Sequence, residues 1–160
     1  MISCIFENGN KAELRHVVVD NLVIKGNQLL LVKRAKGVPA EGKWGLVGGF
    51  METDENLQQA VRRETYEETG YKLKDIKLLE IVDNPNRHPK DGERQNIAFV
   101  FVCEAGEKEG KADWESTEQE WFELDNLPKE EEIAFDHYKM IKFYLENRDN
   151  NLPQPILKSK

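Results

Sequence analysis

Short aliphatic runs bounded by turn residues dominate the first third of the chain. Residues 16–24 (HVVVDNLVI) and 28–32 (QLLLV) are separated by residues 25–27 (KGN), which is turn chemistry, so a β-hairpin is predicted. Residues 44–49 (WGLVGG) predict a strand that enters a loop, because their closing glycines let backbone turn sharply or approach a ligand. Strand-like composition returns at residues 71–82, 95–103 and 118–124.

Two segments have the spacing of helices. Residues 56–69 carry Leu57, Ala60 and Val61 at helical intervals and are followed by Gly70, a favourable residue for a left-handed C-terminal cap. Residues 134–147 predict a second, amphipathic helix whose stripe and flanking apolar residues we assign to the core. The stripe comprises Ala134, Tyr138, Ile141 and Leu145, and the flanking residues are Phe135, Met140, Phe143 and Tyr144.

Segments rich in glycine and proline connect these elements. Residues 33–43 are basic and would either carry cations toward a ligand or form a solvated connection. Residues 83–94 (DNPNRHPKDGER) are a candidate substrate loop, although any connection between two strands needs such turn formers. The polar segment 148–160 is expected to be extended or loosely docked.

The order of these elements predicts an α/β fold, a sandwich of helices around a mixed β-sheet. A length of 160 residues fits one domain over residues 1–160, with a core at about 15–147 and a polar tail at 148–160. Hydrophobic residues at 39% and charged residues at 33% are typical of a globular protein.

Charge and cysteine usage narrow the classes of partner. A formal net charge of −7 disfavours nonspecific binding to nucleic acid. Cys4 and Cys103 are far apart and lack metal spacing, which argues against a zinc site and a disulfide framework. With no signal peptide and no apolar run of about 20 residues, we expect a cytoplasmic protein that does not insert into a membrane.

Three carboxylates in the first predicted helix are the strongest chemical signal. Glu64, Glu67 and Glu68 fall at positions i, i+3 and i+4, so they emerge within about one turn on one side. Like charges at this spacing repel, which indicates a cationic partner. Carboxylate oxygens suit Mg²⁺ held together with substrate phosphates, and Mn²⁺ is an alternative. A solvated acidic face is the other interpretation.

A longer pattern surrounds these carboxylates. From Gly49 the sequence reads GFMETDENLQQAVRRETYEETGY, and its fixed charged and glycine positions match the box of the Nudix hydrolase family, which it resembles. The matching positions are Gly49, Glu55, Arg63, Glu64, Glu67, Glu68 and Gly70. Thr65 and Tyr71 depart from the family's usual aliphatic residues, and Val47 from its common proline. The resemblance covers about residues 15–147 and implies a Nudix-type α/β/α sandwich.

The resemblance also implies roles for individual residues. Glu64, Glu67 and Glu68 would hold magnesium against a substrate diphosphate, helped by the backbone carbonyl near Gly48. Arg63 and Glu55 would form a structural pair that orients loop and helix. The general base would be Glu64, which we favour, or a later glutamate, Glu118 or Glu120.

The expected partner is a small nucleotide rather than nucleic acid. Residues 84–90 (NPNRHPK) resemble a loop of small ADP-ribose pyrophosphatases, so ADP-ribose is the leading substrate. A nucleoside triphosphate, including an oxidised one, and a noncatalytic nucleotide sensor remain alternatives, and a homodimer is left open. The candidate substrate-binding residues are Trp44, Phe50, Pro85, Arg87 and His88.

Overall fold

The computed structural model describes residues 2–85, 87, 95–111, 116–150 and 156–158, and for residues 116 and 156–158 it describes the backbone alone. Strand β1 spans Ile2–Ile5 and pairs antiparallel with β2, Lys11–Leu14, as a separate two-stranded sheet. The remaining strands are β3 (Val17–Lys25), β4 (Gln28–Arg34), β5 (Trp44–Gly45), β6 (Val47–Phe50), β7 (Tyr71–Val82), β8 (Ile97–Lys108), β9 (Ser116–Glu123) and β10 (Ile156–Lys158). The helices are α1, Leu57–Thr69, and α2, His137–Asn147, with a 3₁₀ turn at Glu130–Glu132.

Strands β3 to β10 form one mixed sheet within the described residues. Its order is β10-β7-β8-β3-β4-β5, with β6 paired to β3 and β9 paired to β4. The pairs β3 with β8 and β7 with β10 are parallel, and the others are antiparallel. The predicted hairpin of β3 and β4 is therefore confirmed.

The sheet is covered on both faces, which produces three layers. On one face Ala60 and Val61 of α1 pack with the strand residues Val19 and Val23. On the other face Met140 and Ile141 of α2 pack with Leu22 and other strand residues. The predicted α/β/α sandwich with a mixed sheet is confirmed. No helix in the described part of the chain has the length and apolar character needed to cross a bilayer.

Helix α2 begins later than its hydrophobic pattern predicts. The predicted helix began at Ala134, but the structure gives an N-cap at Asp136 and a first helical residue at His137. The Ala134 N–H instead donates to the carbonyl of Trp44 at 2.7 Å, which ties this segment to β5. Phe135 adopts a φ of 54°, a left-handed conformation that helix cannot contain.

Candidate active site

Helix α1 has well-defined ends that fix the orientation of its carboxylates. Asn56 and Gln59 form a capping box, in which each side chain accepts a hydrogen bond from the other residue's backbone N–H. Gly70 ends the helix in the left-handed conformation, with a φ of 77°. The buried face of α1 includes Ala60, Val61 and Glu68, so one carboxylate of the predicted cluster points into the protein.

Two glycines of β6 lie directly against the carboxylates of α1. The backbone N–H of Gly48 donates to Glu68 Oε2 at 3.0 Å. A Cβ atom on Gly49 would lie 2.6 Å from Glu64 Oε1, closer than real Cβ contacts. The Glu64 carboxylate therefore lies directly against the Gly49 backbone, and β6 and α1 together hold Glu64 and Glu68 at one corner.

Arg63 links the helix to the loop that precedes it. Its guanidinium donates two hydrogen bonds to Glu55, from Nη2 to Oε1 at 2.6 Å and from Nε to Oε2 at 3.0 Å. Nη2 also donates to the Phe50 carbonyl at 2.9 Å, while Nη1 donates to Glu64 at 2.9 Å and Glu67 at 3.1 Å. Such two-point contacts fix planar groups in a defined orientation.

The charges in this network alter the acidity of its members. The hydrogen bond from Arg63 lowers the pKa of Glu55 below its ordinary value of 4.5. The hydrogen bond to Glu55 is also the main reason why the pKa of Arg63 is raised, so the guanidinium stays charged. Ionised Glu55 and charged Arg63 therefore stabilise each other at neutral pH.

A cavity of about 320 Å³ opens beside this corner. Glu52, Arg63, Glu64, Gly48 and Gly49 line one end of it, which we call the carboxylate end. The rest of the lining comes from β3, β4, β6 with the residue before it, the segments before β8 and α2, the start of α2 and the loop residue Arg87. These residues are Val18, Asp20, Arg34, Leu46, Phe50, Arg87, Asn96, Phe135 and His137. The size is that of a site for a small molecule.

The donor set at the carboxylate end fits a hard divalent cation. Glu64 supplies oxygen atoms beside the Gly49 backbone and Glu68 beside the Gly48 backbone. The Glu67 side chain is 50% exposed and turned toward Arg63. In the described ranges no three acidic, histidine or cysteine side chains already converge as a metal cage. Oxygen donors that leave room for water and substrate oxygens are the arrangement Mg²⁺ prefers.

Comparison with known proteins identifies the family. The NUDIX domain family model matches residues 14–144. The chain belongs to the NUDIX domain family. It is 42% identical over 129 residues to the ADP-ribose pyrophosphatase of Methanocaldococcus jannaschii, covering 81% of this chain and 72% of that protein. This match and the family model make the chain a Nudix hydrolase.

Two further relatives show how widely the domain recurs. An NAD-capped RNA hydrolase NudC from Actinobacillus succinogenes is 32% identical over 119 residues, which cover 70% of this chain and 43% of that longer protein. The crystal structure of a NUDIX hydrolase from Nitrosomonas europaea superimposes with a TM-score of 0.77 at 26% identity, covering 99% of this chain and 94% of that one. The chain thus spans less than half of NudC but nearly all of the Nitrosomonas protein.

The structure brings only some of the predicted site residues of this Nudix hydrolase together. Glu118 pairs with Lys33 at 3.0 Å on the exposed side of β9, and Glu120 is exposed; neither lines the cavity. The Trp44 ring packs edge-on against Phe122, consistent with a role in the core.

The predicted substrate loop contributes one described residue to the cavity. Arg87 lines it, whereas the exposed Pro85 does not. Phe50 lines the cavity with 54% of its surface exposed. His88 lies outside the described residues.

Sequence reasoning named Arg87 but missed the polar side chains around it, Asp20, Asp136 and His137. We call these four residues the buried polar cluster. Arg87 donates to both carboxylate oxygens of Asp136, at 2.8 and 3.0 Å, and lies 3.6 Å from Asp20. A carboxylate in the middle of an aliphatic strand was the signal that could have revealed it, because buried charges need partners.

Phe135 corrects a second prediction. We assigned its ring to the core, but it lines the cavity, lies edge-on to His137 and has the Arg34 guanidinium 5.1 Å from its centroid. The left-handed backbone at Phe135 is what turns the ring out of the helix pattern. Non-glycine residues in this conformation cluster at functional sites.

Proposed function

We propose that this protein is a divalent-metal-dependent diphosphatase that cleaves a nucleoside diphosphate derivative, with ADP-ribose as the leading substrate. The observation that carries the proposal is the pair of carboxylates, Glu64 and Glu68, beside the glycines of β6 at one end of a ligand-sized cavity. The similarity to the ADP-ribose pyrophosphatase of M. jannaschii supports the choice of substrate.

Glu64, Glu67 and Glu68 would hold Mg²⁺ or Mn²⁺ with the help of the Gly48 carbonyl. When bound, the metal would neutralise charge on the diphosphate oxygens and make a water molecule more acidic. Glu64 then accepts a proton from the attacking water, whose oxygen forms a new bond to phosphorus as the anhydride P–O bond breaks. We favour Glu64 over Glu118 and Glu120 because a general base must reach the substrate, and Glu64 lines the cavity.

Arg63 and Glu55 act in this proposal as positioning residues. Arg63 holds Glu55, Glu64 and the Phe50 carbonyl at the same time, so it fixes α1 relative to the loop before it. Positioning of reacting groups accounts for a large part of the acceleration in phosphoryl transfer, where the protein does little covalent chemistry. Loss of this contact would misplace the carboxylates without removing them.

The partner and location follow from the same proposal. A small nucleotide fits a cavity of about 320 Å³, and a folded nucleic acid duplex does not. A cytoplasmic location is supported by Cys4 and Cys103, which both carry free thiols, since disulfides are rare in a reducing cytoplasm.

A substrate panel tests the proposed reaction. ADP-ribose, nucleotide sugars, dinucleoside polyphosphates and nucleoside triphosphates are incubated with the protein and Mg²⁺, and again with a chelator. We expect AMP and ribose 5-phosphate from ADP-ribose, with no product under chelation. Turnover of triphosphates alone, with release of pyrophosphate, would contradict the diphosphatase assignment, and binding without turnover of any compound would indicate a sensor.

The substitution Glu68→Gln tests the assigned metal residues. Glutamine keeps an oxygen that can accept the Gly48 hydrogen bond, so the fold should persist, but it removes the charge that would bind the cation. We expect kcat to fall by at least about a hundredfold with an unchanged circular dichroism spectrum. Glu146→Gln, a change of an exposed glutamate on α2, is the matched control. Near-normal turnover of Glu68→Gln would remove Glu68 from the metal site.

A further inference from the structure

Three polar atoms around the cavity lack a hydrogen-bond partner among the described residues. They are Asp20 Oδ2, Arg87 Nη1 and Asn96 Oδ1, and each is buried. All three residues line the same cavity. A buried polar group without a hydrogen-bond partner costs about 1–3 kcal/mol. The ion pair with Arg87 offsets part of this cost for Asp20 Oδ2, and the hydrogen bonds still missing at these three atoms point to a ligand that supplies them.

The side chains that carry these atoms are held in place. Arg87 is 4% exposed and its two other guanidinium nitrogens are bound to Asp136, with Nη2 also 3.6 Å from Asp20 Oδ2. His137 Nδ1 accepts a hydrogen bond from the Leu46 N–H at 2.9 Å, so the proton of the neutral ring is on Nε2, which faces Asp20 Oδ1 at 3.6 Å. Contacts from several segments therefore orient the side chains of the cluster toward the cavity.

This end of the cavity is balanced in charge, unlike the carboxylate end. Arg34 and Arg87 provide two positive charges, and Asp20 and Asp136 provide two negative charges. Burial lowers the pKa of His137, so its ring is neutral near pH 7. A balanced set of donors and acceptors suits a neutral polar group and does not favour a second phosphate.

The buried polar cluster lies close to the proposed diphosphate site, because its residue Asp20 is a neighbour of Gly48 in the sheet. Asp20 is the direct partner of Gly48 in the antiparallel pairing of β3 with β6, which separates their Cα atoms by about 4.5–5.5 Å. Gly48 in turn binds Glu68. A group attached directly to the diphosphate would lie near enough to contact the cluster. A nucleobase is separated from the diphosphate by a sugar, and the exposed Phe50 would offer it an aromatic face.

We propose that Asp20, Arg87 and Asn96 form a subsite for the hydroxyl groups of a sugar attached directly to the diphosphate. The two acceptors, Asp20 Oδ2 and Asn96 Oδ1, take the hydrogens of neighbouring hydroxyl groups, and Arg87 Nη1 donates to a hydroxyl oxygen. The inference rests on the proposed function, and it adds that these three residues recognise a sugar with at least two hydroxyl groups next to the diphosphate.

Calorimetric titration with two sugar phosphates tests the subsite directly. The folded protein with Mg²⁺ is titrated with ribose 5-phosphate and with 2-deoxyribose 5-phosphate. We expect the deoxy sugar to bind about tenfold more weakly, because it leaves one buried acceptor unpaired. Equal affinities, or binding of neither sugar phosphate, would overturn the subsite.

Two variants connect the discrimination to the proposed residues. Asp20→Asn replaces an acceptor oxygen with a donor, and Asn96→Leu removes an acceptor without touching the ion pairs of Arg87. In each variant the ratio of the affinities for ribose 5-phosphate and 2-deoxyribose 5-phosphate should fall toward one. Removing the side chain and removing the hydroxyl group are then not additive, which is the result expected when the two are in direct contact. Asp75→Asn, on the exposed part of β7, is the matched control and should retain the tenfold ratio. Thermal unfolding of each variant verifies that it is folded, and Asn96→Leu keeps the test decisive if Asp20→Asn is unstable.

The outcome separates failure of the subsite from failure of the proposed function. If the protein hydrolyses ADP-ribose but the variants keep the parent's sugar discrimination, the diphosphatase stands and the subsite is wrong. If the variants lose affinity for adenosine while their binding of ribose 5-phosphate is unchanged, the cluster recognises a base and the subsite is again wrong. If ribose 5-phosphate binds as expected but no substrate is hydrolysed, the subsite is supported and the diphosphatase activity is contradicted.

Discussion

Arg63 is the residue on which the local order of the carboxylate end depends. Its guanidinium contacts Glu55, Glu64, Glu67 and the Phe50 carbonyl, which belong to the helix and to the segment before it. With side-chain exposures of 23% for Arg63 and 10% for Glu55, the pair is shielded from water more than an ordinary surface ion pair. Pairs of this kind contribute more than exposed ones, whose median contribution is about 0–1 kcal/mol.

The ionisation of Glu55 makes part of the stability dependent on pH. Because its pKa is lower in the folded protein than the ordinary 4.5, ionised Glu55 stabilises the fold above pH 4.5, and this contribution is lost as pH falls through the folded pKa. Glu55→Gln should therefore lower the free energy of unfolding at pH 7, and its difference from the parent should shrink in acid. Urea unfolding at several pH values measures both quantities, with Glu146→Gln as the control. A difference that stays constant with pH would contradict the role of the carboxylate charge.

The site residues that could be predicted from the sequence are those with a fixed spacing on one element. The box glutamates lie at fixed intervals on one helix, so the proximity of Glu64 and Glu68 could be predicted before any contact was known. Asp20, Asn96 and Asp136 come from three distant segments, and only the folded sheet brings them together. Their proximity depends on the tertiary structure and cannot be predicted from a local sequence pattern.

Elements whose own sequence marks their ends were predicted closely. A strand that forms only by pairing with a distant strand was not predicted. The helix predicted at 56–69 and the strand predicted at 71–82 agree with α1 and β7, because the helical periodicity ends at Gly70, which marks the boundary between them. Strand β10 lies in the tail that we predicted to be extended or loosely docked. Its pairing with β7 depends on the sheet edge and not on its own composition.

The two glycines of β6 should respond differently to the same substitution. In Gly49→Ala the new Cβ meets the end of the flexible Glu64 side chain, which can move away while the backbone stays in place. We expect nearly unchanged thermal unfolding but a kcat reduced by up to about a hundredfold, since small displacements of reacting groups are costly.

Gly48→Ala is the matched comparison, because alanine at this position should lower stability. Its Cβ would collide with the backbone carbonyl of Val19, which cannot move without disturbing the pairing of β3 with β6. We expect a loss of about 1–3 kcal/mol in unfolding free energy, measured by urea denaturation. Equal stability of the two variants, or full activity in Gly49→Ala, would show that the glycines do not have these separate roles.

At the scale of the whole molecule, the two apolar clusters form without any contribution from the carboxylate end. Val19, Val23 and Val61 are fully buried in the cluster under α1, and Leu22 and Ile141 are fully buried in the cluster under α2. Burial of apolar surface on both faces of the sheet is the main stabilising contribution to the fold. The proposed metal site lies at the edge of this structure and does not hold its layers together.

Chelation should therefore abolish activity without unfolding the protein. Arg63 offsets part of the repulsion between Glu64 and Glu67, and the apolar layers supply most of the stability, so the fold itself should not require a cation. With a chelator we expect no turnover but an unchanged circular dichroism spectrum, and full recovery of turnover when Mg²⁺ is restored. Added Mg²⁺ should raise the melting temperature in a concentration-dependent way, because a ligand that binds only the folded state stabilises it by mass action. Unfolding on chelation would instead make the cation a structural component, since a metal that supplies folding free energy cannot be removed without denaturing the domain.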